Sequence, residues 1–363
     1  MQRICSTDAE CFGCGACAFS CPFGAIAMKR DGEGFSYPAI DGELCADCGK
    51  CISVCPALRP PVRLQGQSFY ALRCRDEELL WKSTSGGAFS LIASKILQKG
   101  GLVCGAVFDD SFHVVHVLSG EIGKMRKAKY VQSKTEGCFE SIRDALLIGT
   151  PVLFSGTPCQ CHAVKNLFPE AESLHLLSVA CRGVMSPELW EEYCYFLERK
   201  GKLSDFCFRD KRERNDAHTV SYKVGGREHV SGFTDNPLCR IYACEMSLRP
   251  SCYHCPYTCA ENGFDFTVGD YWGVEKAFPD LADGRGVSLV ITCGAFAEKL
   301  IGELGEKADI RIADCDTVQQ PALTKPAKES LLRRFLFRDL RRKGPDGHCD
   351  MEMILQKYGY LGC

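Results

Sequence analysis

Two stretches near the start of the chain share one cysteine pattern. Residues 11–22 are CFGCGACAFSCP and residues 45–56 are CADCGKCISVCP, so each has the spacing C-x2-C-x2-C-x3-C-P. This spacing is typical of segments that wrap 4Fe–4S cubanes: three close thiolates bind one cluster, and the fourth reaches across to the other. The pattern therefore predicts two clusters. Their ligands are Cys11, Cys14, Cys17 and Cys55 for one cluster, and Cys45, Cys48, Cys51 and Cys21 for the other.

A disulfide framework and a pair of zinc sites are the alternatives for these cysteines. Disulfides are disfavoured because the N-terminus shows no export signal, and zinc sites usually pair two C-x2-C elements without the third cysteine and the proline. The stretch resembles a bacterial two-cluster ferredoxin. Short strands are predicted at 25–28 and 35–40, on either side of a turn. Adjacent prolines at 60 and 61 indicate a stiff linker, so we place this 4Fe–4S module at residues 1–64.

The composition indicates a soluble globular protein. Of the 363 residues, 45% are hydrophobic and 25% are charged, which is ordinary for a soluble globular protein. The net charge of −2 argues against a nucleic-acid partner, and no stretch approaches the length of a transmembrane segment. The 26 cysteines are far more than one module needs. We expect a cytoplasmic protein of an anaerobe, in which thiols and clusters survive.

The rest of the chain alternates between strand and helix patterns. Apolar strands are predicted at 102–108, 113–118, 151–154, 174–181, 264–268, 286–292 and 310–313, with helices at 88–99, 161–168 and 187–200 among them. This alternation predicts an α/β domain with a mostly parallel core sheet over residues 65–326. Residues 327–363 are predicted to be a basic helix, near 330–343, and a tail. The basic face is either solvated or a docking site for an acidic redox partner.

Two loops of this domain suit a ligand that carries phosphate. Ser85-Gly-Gly87 opens a predicted helix, whose free N–H groups favour an anion, although an ordinary N-cap explains the same residues. The strand at 151–154 runs into Ser155-Gly-Thr-Pro158, at the sheet edge where open α/β sheets bind ligands. A P-loop and a G-x-G-x-x-G fingerprint are both missing from the sequence, so a standard Rossmann nucleotide site is not supported.

Seven motifs in this order resemble the beta subunits of coenzyme F(420)-reducing hydrogenases and dehydrogenases, over roughly residues 68–320. They are Ser85-Gly-Gly87, Lys129-Tyr-Val-Gln-Ser133, Gly156-Thr-Pro-Cys-Gln160, Cys181-x-Gly183, Phe208-Arg-Asp-Lys211, Arg249-Pro-Ser-Cys-Tyr-x-Cys255 and Gly269-Asp-Tyr-Trp-Gly273. The resemblance implies a bound FAD and an additional 4Fe–4S cluster. The flavin contacts that it implies are Ser85, Gly86, Gly87, Lys129, Tyr130, Gln132, Ser133, Gly156, Thr157, Pro158 and Asp270, with Trp272 near them.

For the third cluster we expect Cys159, Cys181, Cys252 and Cys255 as ligands. The first two follow predicted strands, and the last two form a C-x2-C pair. Packed core thiols are one alternative; a zinc site of Cys252, Cys255, Cys259 and His254 is another. Cys161, Cys244 and Cys259 are spare candidates. Family members often have histidine where this chain has Arg182, and the fixed positive charge of arginine favours a reduced cluster or an anionic substrate.

These features together predict an iron–sulfur flavoprotein oxidoreductase. Electrons would move between the clusters and a flavin that exchanges hydride with an organic substrate or with a deazaflavin or nicotinamide carrier. A redox partner such as ferredoxin is expected, and an oligomer is compatible with the sequence. An electron-transfer subunit that serves a partner protein without a substrate of its own is the main alternative, and a zinc-containing scaffold is a third. The catalytic acid is left unassigned.

Overall fold

The N-terminal module consists of two short helices and one hairpin. In the computed structural model, which describes residues 4–212 and 215–360 and gives side chains outside 212–218, these helices are α1 (Ala16–Ser20) and α2 (Lys50–Ser53). The hairpin joins β1 (Ile26–Arg30) to β2 (Ser36–Ile40). Gly15 and Gly49 precede the helices with the same left-handed φ of 73°, which glycine adopts without steric cost. The two cysteine repeats therefore have the same local backbone.

An eight-stranded sheet forms the centre of the larger domain. Its strands are β3 (Ser68–Cys74), β4 (Leu102–Phe108), β5 (Val114–Ser119), β6 (Val152–Gly156), β7 (Leu174–Val179), β11 (Phe266–Asp270), β12 (Ser288–Thr292) and β13 (Ala308–Ala313). The spatial order is β13-β3-β12-β11-β7-β6-β4-β5. The four central strands, β4, β6, β7 and β11, are parallel, which confirms the predicted parallel core. The pairs toward both edges are antiparallel, so the sheet as a whole is mixed.

Between the strands, helices form where apolar side chains recur with helical spacing. They are α3 (Glu77–Trp81), α4 (Ala88–Gln98), α5 (Glu136–Leu147), α6 (Pro158–Leu167), α7 (Pro187–Glu198), α8 (Pro237–Ala243), α9 (Val274–Ala277) and α10 (Ala295–Gly302). The predicted strand at 102–108 has the bounds that the structure shows, and the helices predicted at 88–99 and 187–200 differ from α4 and α7 by one or two residues at their ends.

A second sheet and the C-terminal helices share one core with the 4Fe–4S module. The sheet is the antiparallel β8 (Leu203–Arg212), β9 (Asn215–Val224) and β10 (Arg227–Gly232). The helices are α11 (Arg333–Leu340) and α12 (Met351–Tyr358), of which α12 lies in the segment predicted to be a tail. Phe35 of the module, Trp190, Phe208, Phe337 and Tyr358 are all buried in this core. The C-terminal segment is thus packed against the body of the protein.

Polar contacts also join the module to the larger domain. Arg333 of α11 is buried and forms an ion pair with Glu33 of the module. Arg30 pairs with Glu188 and Glu191 of α7 at 3.2 and 2.9 Å. The other basic side chains of α11 and the residues after it are exposed; they are Arg334, Arg338, Arg341, Arg342 and Lys343. Within residues 4–212 and 215–360, the helices are all too short or too polar to cross a membrane.

Candidate functional site

The first set of thiols lies in the interior of the module. The negative charges of Cys11 and Cys55 act on both Cys14 and Cys17, so all four thiols are electrostatic neighbours. Burial is the largest cause that raises the pKa of Cys17, to about 12, and the adjacent thiols raise it further. Four thiolates this close together, three of them buried, would repel one another strongly unless a cation or metal cluster neutralised them. The four residues assigned to one cluster from their spacing are therefore brought together.

The second set of thiols surrounds a cavity of about 250 Å³ at the surface of the module. Cys21, Cys45, Cys48 and Cys51 all line it, which is the grouping expected if the fourth cysteine of each repeat serves the other repeat's cluster. Cys48 is exposed, whereas Cys14 and Cys17 of the first set are buried. The second set is thus the more accessible of the two.

A third set of thiols lies between the module and the central sheet. Burial raises the pKa of the Cys181 thiol, and the thiols of Cys252, Cys159 and Cys255 raise it further. Burial likewise raises the pKa of Cys252 to about 11 and that of Cys255 to about 12, with Cys159 contributing to both. The ends of two adjacent parallel strands thus bring Cys159 and Cys181 to the C-x2-C pair, so the four residues expected to bind a third cluster converge.

Tyr257 lies between the first and the third sets. Its ring is buried. Burial raises its pKa, with further contributions from Cys159 and Cys255 of the third set and from Cys14 and Cys55 of the first. The Tyr257 hydroxyl lies 2.6 Å from His162 Nδ1 and donates to the Pro56 carbonyl oxygen at 3.2 Å. The side chain therefore occupies the space that separates the two sets of thiols.

A cavity of about 670 Å³ opens on the other side of the third set. It lies at the carboxyl ends of β6, β7 and β11, the edge of the sheet where α/β proteins bind ligands, and Cys181 forms part of its wall. The volume is in the range of sites for cofactors and drug-sized ligands. The expected flavin contacts that line it are Ser85, Gly87, Lys129, Tyr130, Ser133, Gly156, Thr157 and Asp270, together with Trp272.

Three of the expected flavin contacts lie outside the cavity lining, each for a packing reason. A Cβ at Gly86 would come within 2.1 Å of the Leu72 carbonyl oxygen, so this glycine permits close packing of the backbone. Gln132 points toward the module, where its Nε2 donates to the Phe12 carbonyl oxygen at 3.1 Å. Pro158 is buried in the first turn of α6.

One helix N-terminus and a buried lysine make the cavity suitable for an anion. Helix α4 begins after Gly87, which has φ 89° and makes no side-chain cap, so its first N–H groups are free to bind a ligand. Lys129 Nζ contacts three backbone carbonyls, those of Met125, Arg126 and Lys127, at 3.5, 3.0 and 3.4 Å. Burial lowers the pKa of Lys129 to about 8.

Arg126 is a cavity residue that the sequence did not single out. It lines the cavity, and its Nε is buried without a hydrogen-bond partner among the described groups. The sequence gives one indication that Arg126 could bind a ligand: it lies in a basic stretch, three residues before Lys129. Two other cations of the wall are already paired: Lys127 with Asp210 at 2.7 Å, and Arg209 with Asp270 at 2.6 Å. Arg126 and Lys129 therefore carry the positive charge available to a ligand.

Arg182, the residue after Cys181, also lines the cavity. Its guanidinium forms an ion pair with Glu245 and donates to the Lys325 carbonyl oxygen at 2.7 Å. Its charge is thus partly balanced within the protein. The spare candidate Cys161 is buried in the hydrophobic core, with its Sγ 3.6 Å from the Leu177 carbonyl oxygen. Cys259 Sγ lies 3.3 Å from Asn262 Oδ1.

Two family models match separate parts of the chain. Residues 10–58 match the family model of the 4Fe-4S dicluster domain. Residues 149–318 match that of the C terminus of the beta subunit of coenzyme F(420) hydrogenase/dehydrogenase. Among solved structures, the protein is similar to a chain of the F(420)-reducing NiFe hydrogenase complex from Methanosarcina barkeri. The similarity covers 78% of this protein and 94% of that chain, with a TM-score of 0.48 and 15% identity.

Each of three similar curated proteins matches part of the chain. The F subunit of the F(420)H(2) dehydrogenase of Methanosarcina mazei is 23% identical over 167 residues, which are 43% of this chain and 47% of that protein. The B subunit of the Na(+)-translocating ferredoxin:NAD(+) oxidoreductase complex of Acetobacterium woodii is 46% identical over 46 residues, 13% of each chain. The ferredoxin-like protein in the nif region of Rhizobium leguminosarum bv. trifolii is 38% identical over 53 residues, 13% of this chain and 75% of that protein. The matches thus span about half of the first relative's length and much less of the second's. The chain is therefore similar to a 4Fe-4S dicluster domain over residues 10–58 and to the C terminus of the beta subunit of coenzyme F(420) hydrogenase/dehydrogenase over residues 149–318, which confirms the predicted resemblance and the order of its two parts.

Proposed function

We propose that this protein is an iron–sulfur flavoprotein oxidoreductase with three 4Fe–4S clusters and one FAD. The observation that carries the proposal is the position of the third set of thiols. Cys181 belongs to this set and also lines the large cavity, while Tyr257 lies close to both this set and the first. The redox groups that these residues would hold therefore form one series from the surface of the module to the cavity.

The geometry of the thiols favours iron–sulfur clusters over zinc. A Zn–S distance of about 2.3 Å places the sulfurs of a tetrahedral zinc site about 3.8 Å apart. Among residues 4–212 and 215–360, three such ligand atoms lie within 4.8 Å of one another only at the exposed Asp314, Cys315 and Asp316. The three sets of cysteines are therefore more open than a zinc site. This spacing also disfavours the zinc alternative for Cys252, Cys255, Cys259 and His254.

The cavity supplies what a flavin dinucleotide requires. The free N–H groups at the start of α4, with Lys129 and Arg126, would hold the pyrophosphate. Gly156 and Thr157 would lie against the ring system, close to Cys181. Iron–sulfur clusters carry single electrons and a flavin carries one or two, so the pair can couple one-electron donors to hydride chemistry.

The accessibility of the cavity favours an enzyme over an electron-transfer subunit without a substrate of its own. Trp272 forms part of the wall and is 48% exposed, so a small molecule can approach the cavity from solvent. The names of two relatives include F(420)H(2) and ferredoxin:NAD(+). Deazaflavin, nicotinamide and ferredoxin are therefore the carriers that we propose as redox partners.

Anaerobic purification followed by a donor screen tests this proposal. We expect one flavin per chain, whose absorbance is bleached by at least one of reduced ferredoxin, reduced F(420) and NADH. A protein that binds no flavin after reconstitution would contradict the assignment of the cavity. Flavin that is reduced only through a partner protein, and never by a small carrier, would favour the electron-transfer subunit.

A further inference from the structure

Arg249 is a fully buried cation inside the 4Fe–4S module, although it belongs to the C-terminal half of the chain. Its side chain is 1% exposed. The guanidinium carbon lies 4.4 Å from the ring centroid of Tyr37 and 5.3 Å from that of Phe35, both on or next to β2. A Cβ at Gly13 would come within 2.5 Å of Arg249 Nη1, so the glycine between the first two ligands leaves room for this arginine.

Within the described residues, Arg249 donates to three neutral oxygens. Nε donates to the Cys11 carbonyl at 2.7 Å, Nη1 to the Gln132 side chain at 2.9 Å, and Nη2 to the Ser36 carbonyl at 3.0 Å. In the parts of the chain that the structure describes, no carboxylate lies within the 4.0 Å that would make an ion pair with it. A buried guanidinium without a counter-charge is costly. Some other negative group must therefore compensate it.

Cysteines of two sets lie next to Arg249. Its Nε donates to the carbonyl oxygen of Cys11 in the first set at 2.7 Å. Its own carbonyl oxygen accepts from the amide of Cys252 in the third set at 2.9 Å. One permanent positive charge thus lies between the residues of the two sets.

We propose that Arg249 is a positioning residue that acts as the shared counter-charge of the first and third clusters and raises the reduction potential of both. The third cluster is part of the function proposed above. When an external donor gives one electron to a 4Fe–4S cluster, the cluster becomes more negative by one charge. A fixed cation nearby stabilises that reduced form. Arg249 would act on both clusters because it lies between them.

Redox titration of the anaerobic holoprotein, followed by electron paramagnetic resonance, tests this role. In Arg249→Gln, the ratio of reduced to oxidised cluster at a fixed potential should fall about tenfold, which is about 59 mV for a one-electron couple. Two of the three cluster signals should shift, whereas the accessible second cluster should shift less. Arg249→Lys keeps the charge and should restore most of the potential. Arg333→Gln removes another buried arginine of the same interface and should leave the potentials unchanged.

The outcomes separate this inference from the proposed function. A wild-type iron content of about eight per chain would remove the third cluster and the function proposed from it. About twelve irons with unchanged potentials in Arg249→Gln would overturn the role of Arg249 alone. If Arg249→Gln loses iron, Arg249→Lys must retain it. Equal loss from both variants would assign the effect to hydrogen bonding and would also overturn the inference.

Discussion

Replacing Lys129 by methionine tests the assignment of the cavity to a phosphate-bearing flavin. Burial lowers the pKa of this lysine from 10.5 to about 8, and at 1.36 kcal/mol per pH unit the cost of keeping it charged is about 3 kcal/mol. A flavin phosphate beside Lys129 would offset a cost of that order. Lys129→Met should therefore weaken FAD binding roughly 10²-fold. Lys127→Met is the matched control, because Lys127 lines the same cavity but is already paired with Asp210.

The same lysine gives FAD binding a pH dependence of known sign. Its lowered pKa applies to the flavin-free protein, and an adjacent phosphate would raise it again, so binding takes up a proton above pH 8. Affinity should fall about tenfold between pH 7 and pH 9 in the wild type and stay flat in Lys129→Met. Quenching of flavin fluorescence during anaerobic titration measures both effects. Equal affinities of wild type and Lys129→Met, or a wild-type affinity independent of pH, would refute the reasoning.

Two further substitutions test how the module is held. Arg333→Met should lower the free energy of unfolding by about 3 kcal/mol in denaturant titration, because it removes the buried partner of Glu33 and leaves only the exposed Arg341, at 3.7 Å. The exposed Arg334→Met should change this free energy by less than about 0.5 kcal/mol, and equal effects would argue against the ion pair. Gly15→Ala would place a Cβ 2.6 Å from Glu136 Cγ and should reduce the iron content. Gly24 has a similar positive φ, but open space surrounds it. Gly24→Ala should therefore cost only about 1 kcal/mol of backbone strain, and the variant protein should keep its iron.

The local features of this protein were predictable from its sequence. The two cysteine repeats fix the ligand spacing, and both repeats begin their helix with the same left-handed glycine, Gly15 or Gly49. Apolar runs such as Leu102–Phe108 predict strands because a parallel strand buried on both faces has few polar residues. The parallel centre of the sheet follows from the alternation of strands and helices.

The features that depend on distant residues were not predictable from spacing. Strand β3 pairs with β12 and β13, which are more than two hundred residues away in the chain. Local sequence patterns do not indicate such distant pairings. Gln132 was expected at the flavin but contacts the module, because the same motif serves both the cavity and the interface. Arg126 and Arg249 acquire their roles from residues that only the fold brings near them.

The iron content of Cys181→Ser tests the central claim most directly. The account predicts about twelve irons per chain in the anaerobically reconstituted wild type and about eight in Cys181→Ser, with the signals of the module's two clusters retained. Cys194→Ser, which alters a buried core cysteine of α7 that belongs to none of the three sets, should keep twelve. A wild type with only eight irons, or a Cys181→Ser variant that keeps twelve, would contradict a third cluster between the module and the cavity.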